Sequence, residues 1–170
     1  VSKTKFSAAR LCRKGMGKNM AVVLEVAGHW YEIGISDFLH SFFSTVSYNL
    51  EKEWGSRFPY MMKKFYKGKL KYRDVDKARR ELLIIRKELE KFPPTKAIWD
   101  IDDLSKQEPW EDDISDEMTN LSNYFFTCEG DDLFEVILAA FKDAQESKED
   151  VIIRRVDFDD PGMLYFDCRQ

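Results

Sequence analysis

Residues 20–54 read MAVVLEVAGHWYEIGISDFLHSFFSTVSYNLEKEW. Up to residue 34 the stretch is rich in Val, Leu, Trp, Tyr and Ile and is broken by Ala-Gly. That pattern predicts two strands, 20–27 and 29–34, turned back on one another near Gly28. From residue 36 the period changes. Leu39, Phe42, Phe43, Val46 and Leu50 recur at helical spacing, so 36–54 reads as a helix with Ser36 as its N-cap and Gly55 just beyond its end.

The same reading extends outward. Pro59 suits the first turn of a short helix that stops near Gly68. DVDKARRELLIIRKELEK (74–91) is amphipathic, with Val75, Ala78, Leu82, Leu83, Ile85 and Leu89 on the apolar face and Glu81, Arg86, Lys87 and Glu88 on the polar one. Pro93 and Pro94 end it. NYFFTC (123–128) predicts a short strand. DDLFEVILAAFKDAQES (131–147) predicts a helix whose two leading Asp suit the positive end of the helix dipole. DVIIRRVDF (150–158) and MLYFDCR (163–169) predict a closing hairpin around Asp160-Pro161-Gly162. This order gives an α+β fold, with a mainly antiparallel sheet packed against about four helices in a single domain, 20–170. The expected core is Phe42, Phe43, Val46, Leu82, Ile85, Leu89, Phe134, Ile137 and Leu138.

The composition supports a folded chain. Apolar residues make up 44% of the 170, and thirteen Phe, seven Tyr and four Trp supply large core side chains. No apolar run approaches the roughly 20 residues that span a bilayer, so a soluble intracellular protein is expected. Three cysteines (Cys12, Cys128, Cys168) without metal-like spacing suggest reduced thiols. Residues 1–19 hold six Lys or Arg and no acid, which leaves 21 bases against 31 acids in 20–170, a net of −10. The basic segment 1–19 reads as an extension, possible as a nucleic-acid arm or targeting peptide, but best explained as lying outside a domain that starts at Met20.

WDIDDLSKQEPWEDDISDE (99–117) raises the functional question. It holds nine acids, one base and two Trp. A calcium loop of the EF-hand type fails at Leu104 and Ser105, where an oxygen ligand and a glycine are required. A looser Mg²⁺ or Ca²⁺ site could draw on Asp100, Asp102 and Asp103, or on Asp112 and Asp113, which would suit a small metal-dependent hydrolase. Other catalytic signals are sparse. Only His29 and His40 could act as a histidine base, no serine sits in a nucleophile elbow, and no glycine-rich loop could hold phosphate. No cofactor is implied. The remaining use for such a stretch is a cationic protein partner, steered by charge and anchored by Trp110. The expected partner-binding residues are Asp102, Asp103, Glu108, Trp110, Glu111, Asp112 and Asp113. Trp99, beside Ala97, Ile98 and Ile101, is expected in the core.

FLHSFFSTVSYNLE (38–51), GSRFP (55–59), WDIDDLSKQEPW (99–110), TNLSNYF (119–125) and DLFEVILAAF (132–141) together resemble the immunity protein 70 family of bacterial polymorphic toxin systems. The similarity runs from about residue 20 to about 143, and the WDIDDLSK…PW string is its most specific part. Where family members often read Pro-Pro-Trp-Gly, this chain reads Glu108-Pro109-Trp110-Glu111. The resemblance implies a non-enzymatic cytoplasmic protein that binds and neutralises a cognate toxin domain, as in contact-dependent growth inhibition and related systems. It supplies no catalytic residues. A nuclease toxin with a basic surface is the expectation that the acidic stretch adds, with neither nucleic acid nor membrane as partner.

Overall fold

The computed structural model describes residues 20–109, 114–157 and 164–165. The expectations for residues 1–19, for Trp110, Glu111, Asp112 and Asp113, and for the turn at Asp160-Pro161-Gly162 lie outside them. Strand β1 (Met20–Val26) and β2 (His29–Gly34) form the antiparallel hairpin. Ala27 and Gly28 both have positive φ, 49° and 81°, which is the turn whose twist matches a two-residue hairpin. Helix α1 follows (Ser36–Leu50), then a π-helical turn (Tyr60–Phe65), β3 (Lys69–Leu70), α2 (Val75–Leu89), α3 (Leu133–Ser147), β4 (Val151–Asp157) and β5 (Leu164–Tyr165). The fold is the expected α+β one.

The sheet runs β2-β1-β4-β3, and β5 also pairs with β4. β1 is central, flanked by β2 and by β4. That position explains its unbroken apolar run, since Ala21, Val22, Val23 and Leu24 are all buried and a central strand can be covered on both faces. β3 takes the other side of β4 at Val151 and Ile152, and β5 takes that side at Arg155 and Val156.

Phe42 on α1 is the middle of the core. Its ring meets Phe43, Phe125 and Phe134 edge-on at 5.3, 5.3 and 5.4 Å between centroids, the geometry aromatic quadrupoles favour. Of the nine expected core residues, eight are buried, and Leu138 is partly buried against the same cluster. Trp99 is also partly buried against it.

Several local expectations change. α1 begins one residue after Ile35, and Ser36 makes no capping bond. It ends at Leu50 rather than near Trp54, because Glu51 turns extended and its carboxylate accepts from the backbone N–H groups of Gly55, Arg57 and Phe58. Those bonds stabilise a turn in place of further helix. Leu83 faces solvent, since the buried stripe of α2 is Val75, Ala78, Leu82, Ile85 and Leu89. Glu81 is half-buried instead, accepting from the Met61 N–H. Residues 123–128 do not form a strand. Asn120 and Asn123 cap one another around a 3₁₀ turn at Leu121–Asn123, leaving a single bridge between Phe126 and Asp132. α3 is capped by the Asp132 carboxylate, which accepts from the N–H groups of Phe134 and Glu135. Cys128 is disulfide-bonded. A count of three allows one bridge, and separation along the chain says nothing about distance in space, so the reduced-thiol expectation does not hold there.

Phe42→Ala should cost about 3–5 kcal/mol and Leu82→Ala about 2–5 kcal/mol, measured by urea unfolding, because each leaves a cavity where the surroundings relax only in part.

Candidate functional site

The acidic stretch is fastened to α1. Ile98 is the central contact. Its N–H donates to Thr45 Oγ1 at 2.9 Å, and its carbonyl accepts from Ser41 Oγ at 2.8 Å and from Thr45 Oγ1 at 3.2 Å. On one side the Ile101 N–H donates to Ser44 Oγ at 3.1 Å, and on the other Asn49 Nδ2 donates to the Lys96 carbonyl at 2.9 Å. Ser41, Ser44 and Thr45 are fully buried. α1 is therefore apolar on one face and hydroxyl-bearing on another, and the second face satisfies the backbone of an irregular segment that would otherwise be buried unpaired.

His40 extends this row. One ring nitrogen meets Tyr66 Oη at 2.7 Å, and the other meets Asp100 Oδ1 at 3.1 Å and Asp102 Oδ2 at 3.9 Å. Lys106 Nζ donates to Asp100 Oδ2 at 2.7 Å. The Lys106 ammonium, with help from the Asp102 N–H and His40, holds the Asp100 carboxyl down to about 2. Asp103 folds onto its own loop, accepting from Ser105 N and Oγ, and sits below the usual carboxylate range for that reason. Asp102 by contrast points outward, with 86% of its side chain exposed.

Above Ile98 lies a groove of about 560 Å³. Tyr48 from α1, Trp99, Leu104 and Ile114 supply apolar walls, and Lys106 and Glu108 stand at its edge. Tyr48 and Leu104 are among the most exposed large hydrophobic side chains described. Of the expected partner-binding residues, Glu108 lines this groove, and Asp102 and Asp103 share the short loop that carries Leu104.

The geometry also bears on chemistry. His40, Asp100 and Asp102 offer three ligand atoms within 4.8 Å of one another, which among the described residues is the group nearest to the alternative metal-site reading of the stretch. Both oxygens of Asp100 are already satisfied, by Lys106 and by His40 with the Asp102 N–H, so the group is complete as an anchor. His29 meets Asp143 at 2.7 Å, and Tyr31 donates to the same carboxylate at 2.9 Å. Among the described residues the hydrogen bonds of the two histidine rings go to Asp143, Tyr66 and Asp100. No described helix is long and apolar enough to cross a membrane.

The family model for immunity protein 70 matches residues 24–153, which run from the end of β1 into the start of β4 and include α1 and the acidic stretch. The chain belongs to the immunity protein 70 family. No curated protein and no solved structure matches it.

Within this immunity-family chain, reading the sequence missed His40, Ser41, Ser44, Thr45 and Asn49 as the mount for the acidic stretch. A signal was present. His40, Ser41, Ser44 and Thr45 are one, three and four residues apart, which puts them on one helix face beside the Phe42–Phe43–Val46 stripe.

Thr45→Val keeps shape but leaves the Ile98 N–H unpaired, and should cost about 1–3 kcal/mol in urea unfolding. Asp100→Asn should show a pH signature. A carboxyl held at about 2 rather than the ordinary 3.8 stabilises the fold above the ordinary value, and this is lost as pH falls through about 2. The variant should melt below the parent near neutral pH, and the two melting temperatures should converge as acid is added towards about pH 2.

Proposed function

We propose that this immunity-family protein binds and neutralises a cognate bacterial toxin domain through the acidic stretch and the groove beside it. The observation that carries this reading is the mount on α1. Ser41, Ser44, Thr45 and Asn49 hold the segment mainly by its backbone, which leaves exposed carboxylates such as Asp102 outside to meet a partner. The nine acids of 99–117 steer a cationic surface, and the exposed Tyr48 and Leu104 offer apolar contact once it arrives. The partner-binding set is Asp102, Asp103, Glu108, Trp110, Glu111, Asp112 and Asp113, within a domain spanning 20–170. The protein acts by occupation and not by catalysis, requires no cofactor, and binds neither nucleic acid nor membrane. A nuclease domain of a contact-dependent or related secreted system, with a basic active-site cleft, suits this surface. We place the encounter in the cytoplasm.

A metal-dependent hydrolase is the second reading, favoured by the convergence of His40, Asp100 and Asp102. Calorimetry with Mg²⁺, Mn²⁺ and Ca²⁺ separates the two, since an inhibitor requires no tight ion site.

The binding test uses the cognate toxin domain. Added salt should slow association more than it speeds dissociation, and Asp112→Asn with Asp113→Asn should reproduce part of that slowing. Trp110→Ala should act mainly on dissociation, at a cost of about 2 kcal/mol or more. Unchanged rates at low salt for a folded triple variant would move the interface elsewhere.

A further inference from the structure

Charge is divided along this chain. Residues 60–80 hold nine Lys or Arg against two Asp, a net of +7, whereas 99–117 hold one base against nine acids, a net of −8. Among the described residues no ion pair joins these segments, since Lys64 and Arg80 pair with Asp74 and Asp76, Lys69 pairs with Asp150, and Asp100 pairs with His40 and Lys106. On the basic side, the ammonium groups of Lys64 and Lys77 sit 4.6 and 5.1 Å from the Tyr60 ring centre. Lys77 opens a solvent-facing row on α2 that continues at helical spacing through Arg80, Leu83, Ile84 and Lys87. Leu83 is 38% and Ile84 47% exposed, and the opposite stripe of the helix is fully buried. The row is an aliphatic knob rimmed by cations.

The exposed apolar side chains follow the same division. Six large ones are exposed among the described residues. Tyr48 and Leu104 line the acidic groove, Leu83 and Ile84 form the knob, Tyr72 lies in the basic segment, and Trp30 stands apart. Apolar exposure coupled to opposite charge on two surfaces of one molecule is the pattern of complementary interface halves.

We propose that the knob's occupant is a second copy of this chain. Leu83 and Ile84 of one copy enter the groove between Tyr48 and Leu104 of the other, and Lys77 and Lys87 face Asp102, Asp103 and Glu108. Pairing two α2 helices face to face would set cations against cations, so the contact joins unlike surfaces. Each copy carries both halves, and a two-fold arrangement makes the contact twice and closes a dimer. The idea rests on the groove being a binding surface, as proposed above. It adds that toxin and second copy compete for that groove, so self-association shields the acidic stretch until toxin arrives.

Sedimentation velocity of the full chain alone tests this, and needs no toxin. At an ionic strength of about 0.02 M the mass should rise about twofold with protein concentration, and it should return towards the monomer at about 0.5 M. Ile84→Glu and Leu104→Asp should each give a monomer at low salt. A charge-exchanged pair completes the test: Lys77→Glu with Lys87→Glu in one chain, and Asp102→Lys with Asp103→Lys in another. Each should be monomeric alone, and an equimolar mixture should associate. A monomeric parent at every salt concentration, association untouched by both single substitutions, or a mixture that stays monomeric would overturn the proposal. The toxin-binding reading survives any of these results, because it is measured with the toxin itself.

Discussion

Thr45 grips the peptide of Ile98 from both sides, donating to its carbonyl and accepting from its N–H. The rest of the molecule is arranged around that contact. One residue beyond each end of the interval Phe43–Ser44 lie Phe42, at the centre of the aromatic core, and Thr45, at the centre of the mount. The same helix therefore orders the hydrophobic interior and the long irregular segment, and a shift of its phase would disturb both. Side-chain hydroxyls suit this task because they both donate and accept, and so match a peptide group whose partners are otherwise missing.

The density of acids between residues 99 and 117 is tolerated because its members are not equivalent. Asp100 is turned inward, paired with the Lys106 ammonium and hydrogen-bonded to His40. Asp103 is spent on its own turn with Ser105. Asp102 remains outward. The inward acids build the loop, and the outward Asp102 leaves its charge facing solvent. The groove behind them adds contact area that charge alone lacks, and short-range apolar contact is what slows dissociation after electrostatic steering has brought partners together.

An inhibitor with such a surface must be kept from indiscriminate contact with basic molecules. Under the proposed self-association, the cation-rimmed Leu83–Ile84 knob on α2 would compete for the groove with a cationic toxin surface. Membership of the immunity protein 70 family and the separation of charge are the two observations from which the shared use of the groove is proposed.

The amphipathic periods of α2 and α3 were legible in the chain, because burying an apolar stripe dominates the energetics of a helix on a sheet. Leu82, Ile85, Leu89, Phe134 and Ile137 followed directly, as did the β1–β2 hairpin and the antiparallel return of β4 and β5. The acidic stretch was visible as composition. Its mount was not, because Ser41, Ser44 and Thr45 read as ordinary helix residues until Ile98 and Ile101, more than fifty positions away, supply the backbone groups they bind. The early end of α1 is of the same kind, since Glu51 leaves the helix for three amides that exist as a cluster only after the chain has turned. Period and composition are local properties, so the sequence alone determined them. Which polar group meets which depends on long-range proximity, and only the tertiary structure decided that.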